Sequence, residues 1–163
     1  MKINCENFEP LAEYSDILPK AILLFETTGQ TRLNELGILP QTLQESAFSL
    51  SFFDKKGMQS INAKYREIDA PTDVLSFPMW ENEEGLFTPP EDWDELPLGD
   101  IVVCPEIVAQ NAKENGKSFN EELALVIFHG LLHLCGYDHD TDERKAEMWK
   151  EQNALVAKFM KEL

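Results

Sequence analysis

Hydrophobic and polar positions divide the chain into short apolar segments that alternate with longer helical patterns. Period-two alternation and short apolar runs predict strands at residues 2–5, 47–53, 74–78 and 100–104. Helical spacing and capping signals predict about five helices. They span residues 16–36, 56–65, 105–115, 119–134 and 140–161. This order predicts an α+β (α/β-like) fold, with helices packed on a small mixed four-stranded sheet in a single domain, residues 1–163.

Two of these helices have clear start signals. Pro105 suits a first helical turn, and Ser118 with Glu121 forms a capping box that opens a nearly all-apolar helix. A helix that is apolar all round is expected to be buried. Asp140 is the predicted cap of the last helix.

A long acidic segment, residues 80–97, separates the last two predicted strands. It contains seven acids, three prolines and two tryptophans. Segments of this length are usually functional or mobile. The interpretation that we favour is a solvated acidic flap anchored by its aromatic residues.

The charge balance limits the kinds of partner. The 163 residues carry 14 basic and 30 acidic side chains, a net charge of −16, and residues 67–112 contain no lysine or arginine. Such a chain lacks a broad basic footprint for nucleic acid. A small reactive site is therefore expected, with any polyanion held by a metal and a few cations, or delivered by a partner.

Compartment signals point to the cytoplasm. No apolar signal-peptide core follows Met1, and the longest apolar run, residues 123–128, is too short to span a membrane. Three cysteines without a framework pattern indicate reduced thiols.

The only three histidines of the chain, His129, His133 and His139, fall within eleven residues. Residues four apart on a helix share a face, and Gly136 permits the left-handed turn that returns His139 to the same point. Three converging imidazoles predict a metal site with an open fourth position, as in catalytic zinc. The alternative for each histidine is a buried, hydrogen-bonded core residue.

The sequence allows more than one metal at this site and one further candidate ligand. Zinc is the first expectation, although nickel, copper and iron also accept nitrogen ligands. Cys135 lies between two of the histidines and is a further candidate ligand, but core packing is the favoured role.

The histidine spacing is that of the metzincin proteases, in which a glutamate follows the first histidine as general base. Gly130 occupies that position here. Its lack of a carboxylate argues against proteolysis. A substrate that already carries negative charge needs a positive clamp instead. Arg66, at the end of a predicted helix, is the candidate clamp, and a surface salt bridge to Glu67 or Asp69 is the equally weighted alternative.

Three stretches resemble the YbeY family of bacterial endoribonucleases: residues 62–78, 98–104 and 129–139. The resemblance implies a zinc-dependent, single-strand-specific endoribonuclease acting in late 16S rRNA 3′-end maturation and ribosome quality control. It implies one Zn²⁺ per chain on His129, His133 and His139, with Arg66 as the catalytic or phosphate-binding residue. The implied partners are single-stranded rRNA and small-subunit ribosomal proteins or assembly factors, with no membrane or DNA.

Two classes of function remain open at this point. In the first, metal-bound water attacks a phosphodiester held by Arg66. In the second, the protein is a non-catalytic ribosome-assembly factor with a structural metal. Because a structural zinc normally has four protein ligands and only three are found, the enzyme is favoured. Hydrolysis of another ester or an amide is the alternative within enzymes.

Overall fold

A computed structural model describes residues 1–15 and 17–163, apart from the side chains of residues 19 and 20. Asp16, the first residue of the helix predicted at 16–36, lies outside this description. The elements are β1 Lys2–Glu6, α1 Glu9–Ala12, α2 Leu18–Leu36, β2 Glu45–Phe52, α3 Lys55–Arg66, β3 Val74–Pro78, β4 Glu95–Val103, α4 Pro105–Asn115, α5 Phe119–Leu134 and α6 Asp142–Glu162.

The four strands form one mixed sheet in the order β1-β2-β4-β3. Strands β1, β2 and β4 are parallel, and β3 pairs antiparallel with β4 at one edge. The predicted α+β class with a small mixed four-stranded sheet is therefore confirmed. Six helices are described instead of about five, because the four-residue α1 carried no clear periodic signal.

Successive residues of β4 belong alternately to two hydrophobic clusters. Ile101 and Val103 of β4 belong to the large core, to which α2, α5 and α6 contribute. Val102 belongs to a smaller cluster with Met58 of α3 and Leu75 of β3. Because successive side chains of a strand point to opposite faces, helices cover both faces of the sheet. Among the described residues, no helix has the length and apolar character needed to cross a membrane.

Strand β4 begins at Glu95, five residues before the predicted start. The prediction was wrong because Pro97 and Gly99 are poor strand residues in isolation. In the sheet, Ala47 pairs with Pro97 and Phe48 pairs with Gly99, so Leu98 is the extra residue of a bulge. Gly99 has φ 138°, and a Cβ there would collide with the carbonyl oxygen of Phe77.

The last helix begins at Asp142, and its cap is Thr141 instead of the predicted Asp140. Thr141 has extended backbone angles, and its hydroxyl accepts a hydrogen bond from the Arg144 amide. The Asp140 carboxylate binds the Arg144 guanidinium instead, with oxygen–nitrogen distances of 2.9 and 2.8 Å. Sequence alone did not distinguish two adjacent residues that both favour the cap position.

Helix α5 is the central helix of the fold, and it starts as the sequence predicts. The Ser118 hydroxyl accepts a hydrogen bond from the Glu121 amide. Ten of its residues are buried, which confirms the expected buried helix. At Gly130 the helix lies so close to the sheet that an added Cβ would be 2.9 Å from Ile101 Cδ1 and 3.1 Å from Ser76 Oγ.

We expect Gly130→Ala to destabilise the protein, although alanine favours a helix by about 1 kcal/mol over glycine. Overpacking at a rigid contact costs about 1–3 kcal/mol, and the fully buried, β-branched Ile101 has little freedom to move. Gly29→Ala is the matched control, because the nearest neighbour of that helical position is the flexible end of the Met1 side chain. Urea unfolding should show a lower midpoint for Gly130→Ala only, and equal midpoints would contradict the packing argument.

Candidate metal centre

The last two turns of α5 present His129 and His133 on one side of the helix. Their Nε2 atoms are 3.1 Å apart, and their rings meet edge to face. Two nitrogens bound at about 2.0–2.1 Å to a tetrahedral zinc lie ~3.3 Å apart. The separation of the two helical imidazoles is therefore already close to the one that a shared metal ion requires.

The chain reverses direction immediately after α5, as predicted, at Gly136. This residue has φ 90°, and the amides of Gly136 and Tyr137 donate to the carbonyls of His133 and Leu132, respectively. This pair of hydrogen bonds is the Schellman ending of a helix. The turn places His139 beside the two helical histidines, and the three ring nitrogens lie within 4.8 Å of one another.

Helix α6 contributes two side chains, Gln152 and Trp149, that contact the histidine group. The Nδ1 atom of His129 is 2.8 Å from Oε1 of Gln152, a buried side chain. Because an amide oxygen only accepts hydrogen bonds, Nδ1 carries the proton and Nε2 keeps its lone pair. The Trp149 ring packs nearly perpendicular to the rings of both His129 and His139, with ring centroids 5.8 Å apart in each pair.

Burial keeps the helical imidazoles neutral. It lowers the pKa of His129, and together with the neighbouring His129 and His139 it lowers the pKa of His133 to about 4. Metal ions bind the neutral form of imidazole. Three imidazole nitrogens converge here, two of them on rings that burial keeps neutral and one with its tautomer fixed by Gln152, and this donor set fits a metal ion.

Cys135 is fully enclosed, and burial raises the pKa of its thiol to about 12. It belongs to the large hydrophobic core and is not part of the histidine group. The structure therefore agrees with the core role that was favoured over ligation.

Arg66 ends α3, where a buried asparagine fixes the following turn. Asn62 donates to the Ala70 carbonyl at 2.8 Å, and Glu67 takes a left-handed conformation. The Arg66 guanidinium donates to the Ser76 carbonyl of β3 at 3.2 Å. Asp69 is bound by Gln59 instead, and within the described residues Arg66 has no ion-pair partner.

Arg66 and the three histidines line the same cleft, which has a volume of about 360 Å³. Strand β3 forms one wall. The other lining residues are Val74, Leu75, Ser76, Pro78, Glu81 and Asp138. The chain thus brings the candidate metal ligands and the candidate phosphate clamp to one opening, although they are separated by more than 60 residues of sequence.

The segment between β3 and β4 covers part of this region and is shorter than predicted, residues 79–94. We call it the acidic loop. Its carboxylates are exposed, Trp80 donates to the Pro97 carbonyl, and Trp80 packs edge-on against Trp93. The expectation of an acidic flap anchored by its aromatic residues is confirmed. Phe87 also lies directly on Gly136, where an added Cβ would be 2.7 Å from Phe87 Cβ.

Sequence reasoning did not identify Gln152 and Glu81 as neighbours of the site. Gln152 is a polar residue on the apolar face of α6, between Met148 and Leu155. That pattern was the available signal for a buried polar role. Glu81 carried no such signal, because it is one of several acids in the acidic loop.

Fold and site together define a class: an α+β protein with three histidines, able to hold a metal ion, on a buried helix and the turn that follows. The sequence model described as "Endoribonuclease YbeY" matches residues 21–160. A protein named "Endoribonuclease YbeY" from Alkaliphilus oremlandii is 45% identical over 108 residues, which cover 66% of this chain and 68% of that protein. One of the same name from Sulfurovum sp. is 39% identical over 140 residues, covering 83% and 90%.

The fold also has a solved counterpart. The solution structure of TM1509 from Thermotoga maritima superposes with a TM-score of 0.65 at 27% identity, covering 98% of this chain and 90% of that one. The chain belongs to the YbeY family, whose members are described as endoribonucleases.

We expect Gln152→Leu to weaken the affinity of the histidine group for a divalent metal ion roughly 10- to 100-fold, the usual effect of removing the hydrogen-bond partner of a metal-binding histidine. The control is Gln110→Leu, which changes an exposed glutamine of α4 that bonds to Glu114. Competition with a chelator of known affinity measures the effect. Wild-type affinity in Gln152→Leu would show that its bond to His129 does not orient the ring for the metal.

Proposed function

We propose that this protein is a zinc-dependent endoribonuclease that cleaves single-stranded RNA, acting as a single domain over residues 1–163. One observation carries the proposal: His129, His133 and His139 share one cleft with Arg66. Membership of a family described as endoribonucleases supports the reaction class. The three histidines would hold one Zn²⁺.

A divalent ion held by His129, His133 and His139 would supply a Lewis acid for the reaction. Residues of the chain itself position the histidines and the arginine. Gln152 orients His129, and Trp149 shields the back of the histidine group. The Ser76 carbonyl holds one nitrogen of Arg66, and the remaining donors of that guanidinium would bind a substrate phosphate in the cleft.

The packing at Gly130 weighs against a peptidase. The position that carries the general base in metzincins is here a glycine packed closely on the sheet, where an added Cβ would lie 2.9 Å from Ile101 Cδ1 and 3.1 Å from Ser76 Oγ. A non-catalytic role with a structural metal is also disfavoured. Such a site normally has four protein ligands, and the described residues bring together three.

We place the reaction in late 16S rRNA 3′-end maturation and ribosome quality control in the cytoplasm, with small-subunit ribosomal proteins or assembly factors as partners. The net charge of −16 supports the need for partners. Few cations are available to neutralise phosphates, so free RNA gains little affinity from counterion release. Neither membrane nor DNA is part of this proposal.

Cleavage should require the histidine group. Zinc-loaded wild type is expected to cut single-stranded RNA much faster than duplex RNA and to leave casein intact. His129→Ala, and wild type with chelator, should lose both the metal and the cleavage. RNA cleavage that persists equally in His129→Ala would indicate a contaminating nuclease and favour the assembly-factor alternative. Digestion of casein by wild type alone would favour a protease.

We expect Arg66→Lys to lower cleavage roughly 10- to 100-fold, the effect of losing one charge-assisted hydrogen bond of about 1.5–3 kcal/mol. Lysine keeps the charge but not the two-pronged donor geometry. The melting temperature should barely change. Arg32→Lys is the control, since Arg32 pairs with Glu35 and Glu151 and does not line the cleft. Unchanged cleavage by Arg66→Lys would remove Arg66 from the mechanism.

A further inference from the structure

The last turn of α3 carries an exposed aromatic residue between two cations, in the order Lys64, Tyr65, Arg66. The Tyr65 side chain is 58% exposed. After Arg66 the next basic residue is Lys113. In a chain with a net charge of −16, an exposed aromatic ring between two cations, one of which lines the cleft, is uncommon.

Tyr65 and Arg66 both rest on the edge strand β3, at neighbouring residues. The Tyr65 ring meets the Phe77 ring edge-on, with centroids 5.2 Å apart, and Arg66 donates to the Ser76 carbonyl. Consecutive strand residues are about 3.3 Å apart. Tyr65 and Arg66 are thus held by consecutive residues of β3, and of the two Arg66 lines the cleft.

The cation that precedes Tyr65 in the sequence lies over the ring. Lys64 Nζ is 5.1 Å from the centroid of the Tyr65 ring. The Tyr65 and Phe77 rings are inclined at 69°, and more than half of the Tyr65 surface is exposed to solvent. Bases of single-stranded nucleic acid bind to such surfaces by stacking, with their phosphates held by neighbouring cations.

Single exposed aromatics are common on protein surfaces and need no function. Trp93 illustrates that case here. It is 43% exposed and packs edge-on against Trp80, but it lies in the acidic loop, which has no lysine or arginine. Tyr65 differs because cations flank it on both sides along the chain, and one of them lines the cleft.

We propose that Tyr65 is a nucleobase-stacking subsite, which binds a base of single-stranded RNA next to the phosphate held by Arg66, while Lys64 faces the adjacent phosphate. The inference rests on the proposed function and adds to it a physical source of single-strand preference. Only an unpaired base can leave its stack to lie on a protein ring, and a duplex keeps its bases paired.

The test measures binding separately from cleavage. The zinc-loaded full chain is titrated with a short single-stranded RNA that carries 2′-O-methyl riboses and is checked for integrity afterwards. Tyr65→Leu keeps apolar contact with Phe77 but removes the ring face. It should weaken binding roughly 5- to 100-fold, whereas Tyr65→Phe and the control Trp93→Ala should bind as wild type does.

A matched RNA with one abasic position identifies the stacked base. At the position that stacks on Tyr65, removing the base should weaken binding by wild type and leave binding by Tyr65→Leu unchanged. Wild-type binding by Tyr65→Leu, an equal loss at every abasic position in both proteins, an equal loss of duplex binding, or no measurable binding by wild type would each overturn the subsite.

A separate cleavage assay distinguishes this proposal from the function on which it rests. If wild type cleaves RNA while binding does not depend on Tyr65, the subsite is wrong and the endoribonuclease stands. If binding depends on Tyr65 but zinc-loaded wild type does not cleave, the subsite stands and the endoribonuclease is wrong.

Discussion

The close packing of α5 on the sheet at Gly130 is the constraint on which the rest of the site depends. Ile101 of β4 and Ser76 of β3 both approach this position, so the helix has little freedom to shift or rotate. His129 is the adjacent residue, and His133 follows one turn later. The Ser76 carbonyl also accepts the hydrogen bond from Arg66. This one residue of the edge strand therefore contacts both the helix that carries two of the histidines and the arginine.

Local patterns were sufficient to predict much of this arrangement. The strand at 74–78 and the helix at 105–115 have the predicted bounds, because their apolar runs and Pro105 determine them locally. The convergence of the histidines also follows from local geometry. The periodicity of α5 and the left-handed residue Gly136 together need only eleven residues of chain.

Features that depend on contacts distant in sequence were not predictable in the same way. The start of β4 depends on pairing with β2, which accommodates Pro97 and the bulge at Leu98. Gln152 reaches His129 only after α6 docks on α5, 23 residues away. For Arg66, position alone left a salt bridge and a clamp equally open. The turn held by Asn62 and the nearby edge of β3 direct its side chain to the cleft.

The contact between Phe87 and Gly136 couples the position of the acidic loop to the position of the third histidine. Gly136 begins the turn that carries His139, and Phe87 lies on it. A ligand that moves the loop away from Gly136 changes the free energy of placing His139 beside its two partners. By linkage, metal binding then alters the affinity of that ligand by the same factor by which the ligand alters metal affinity.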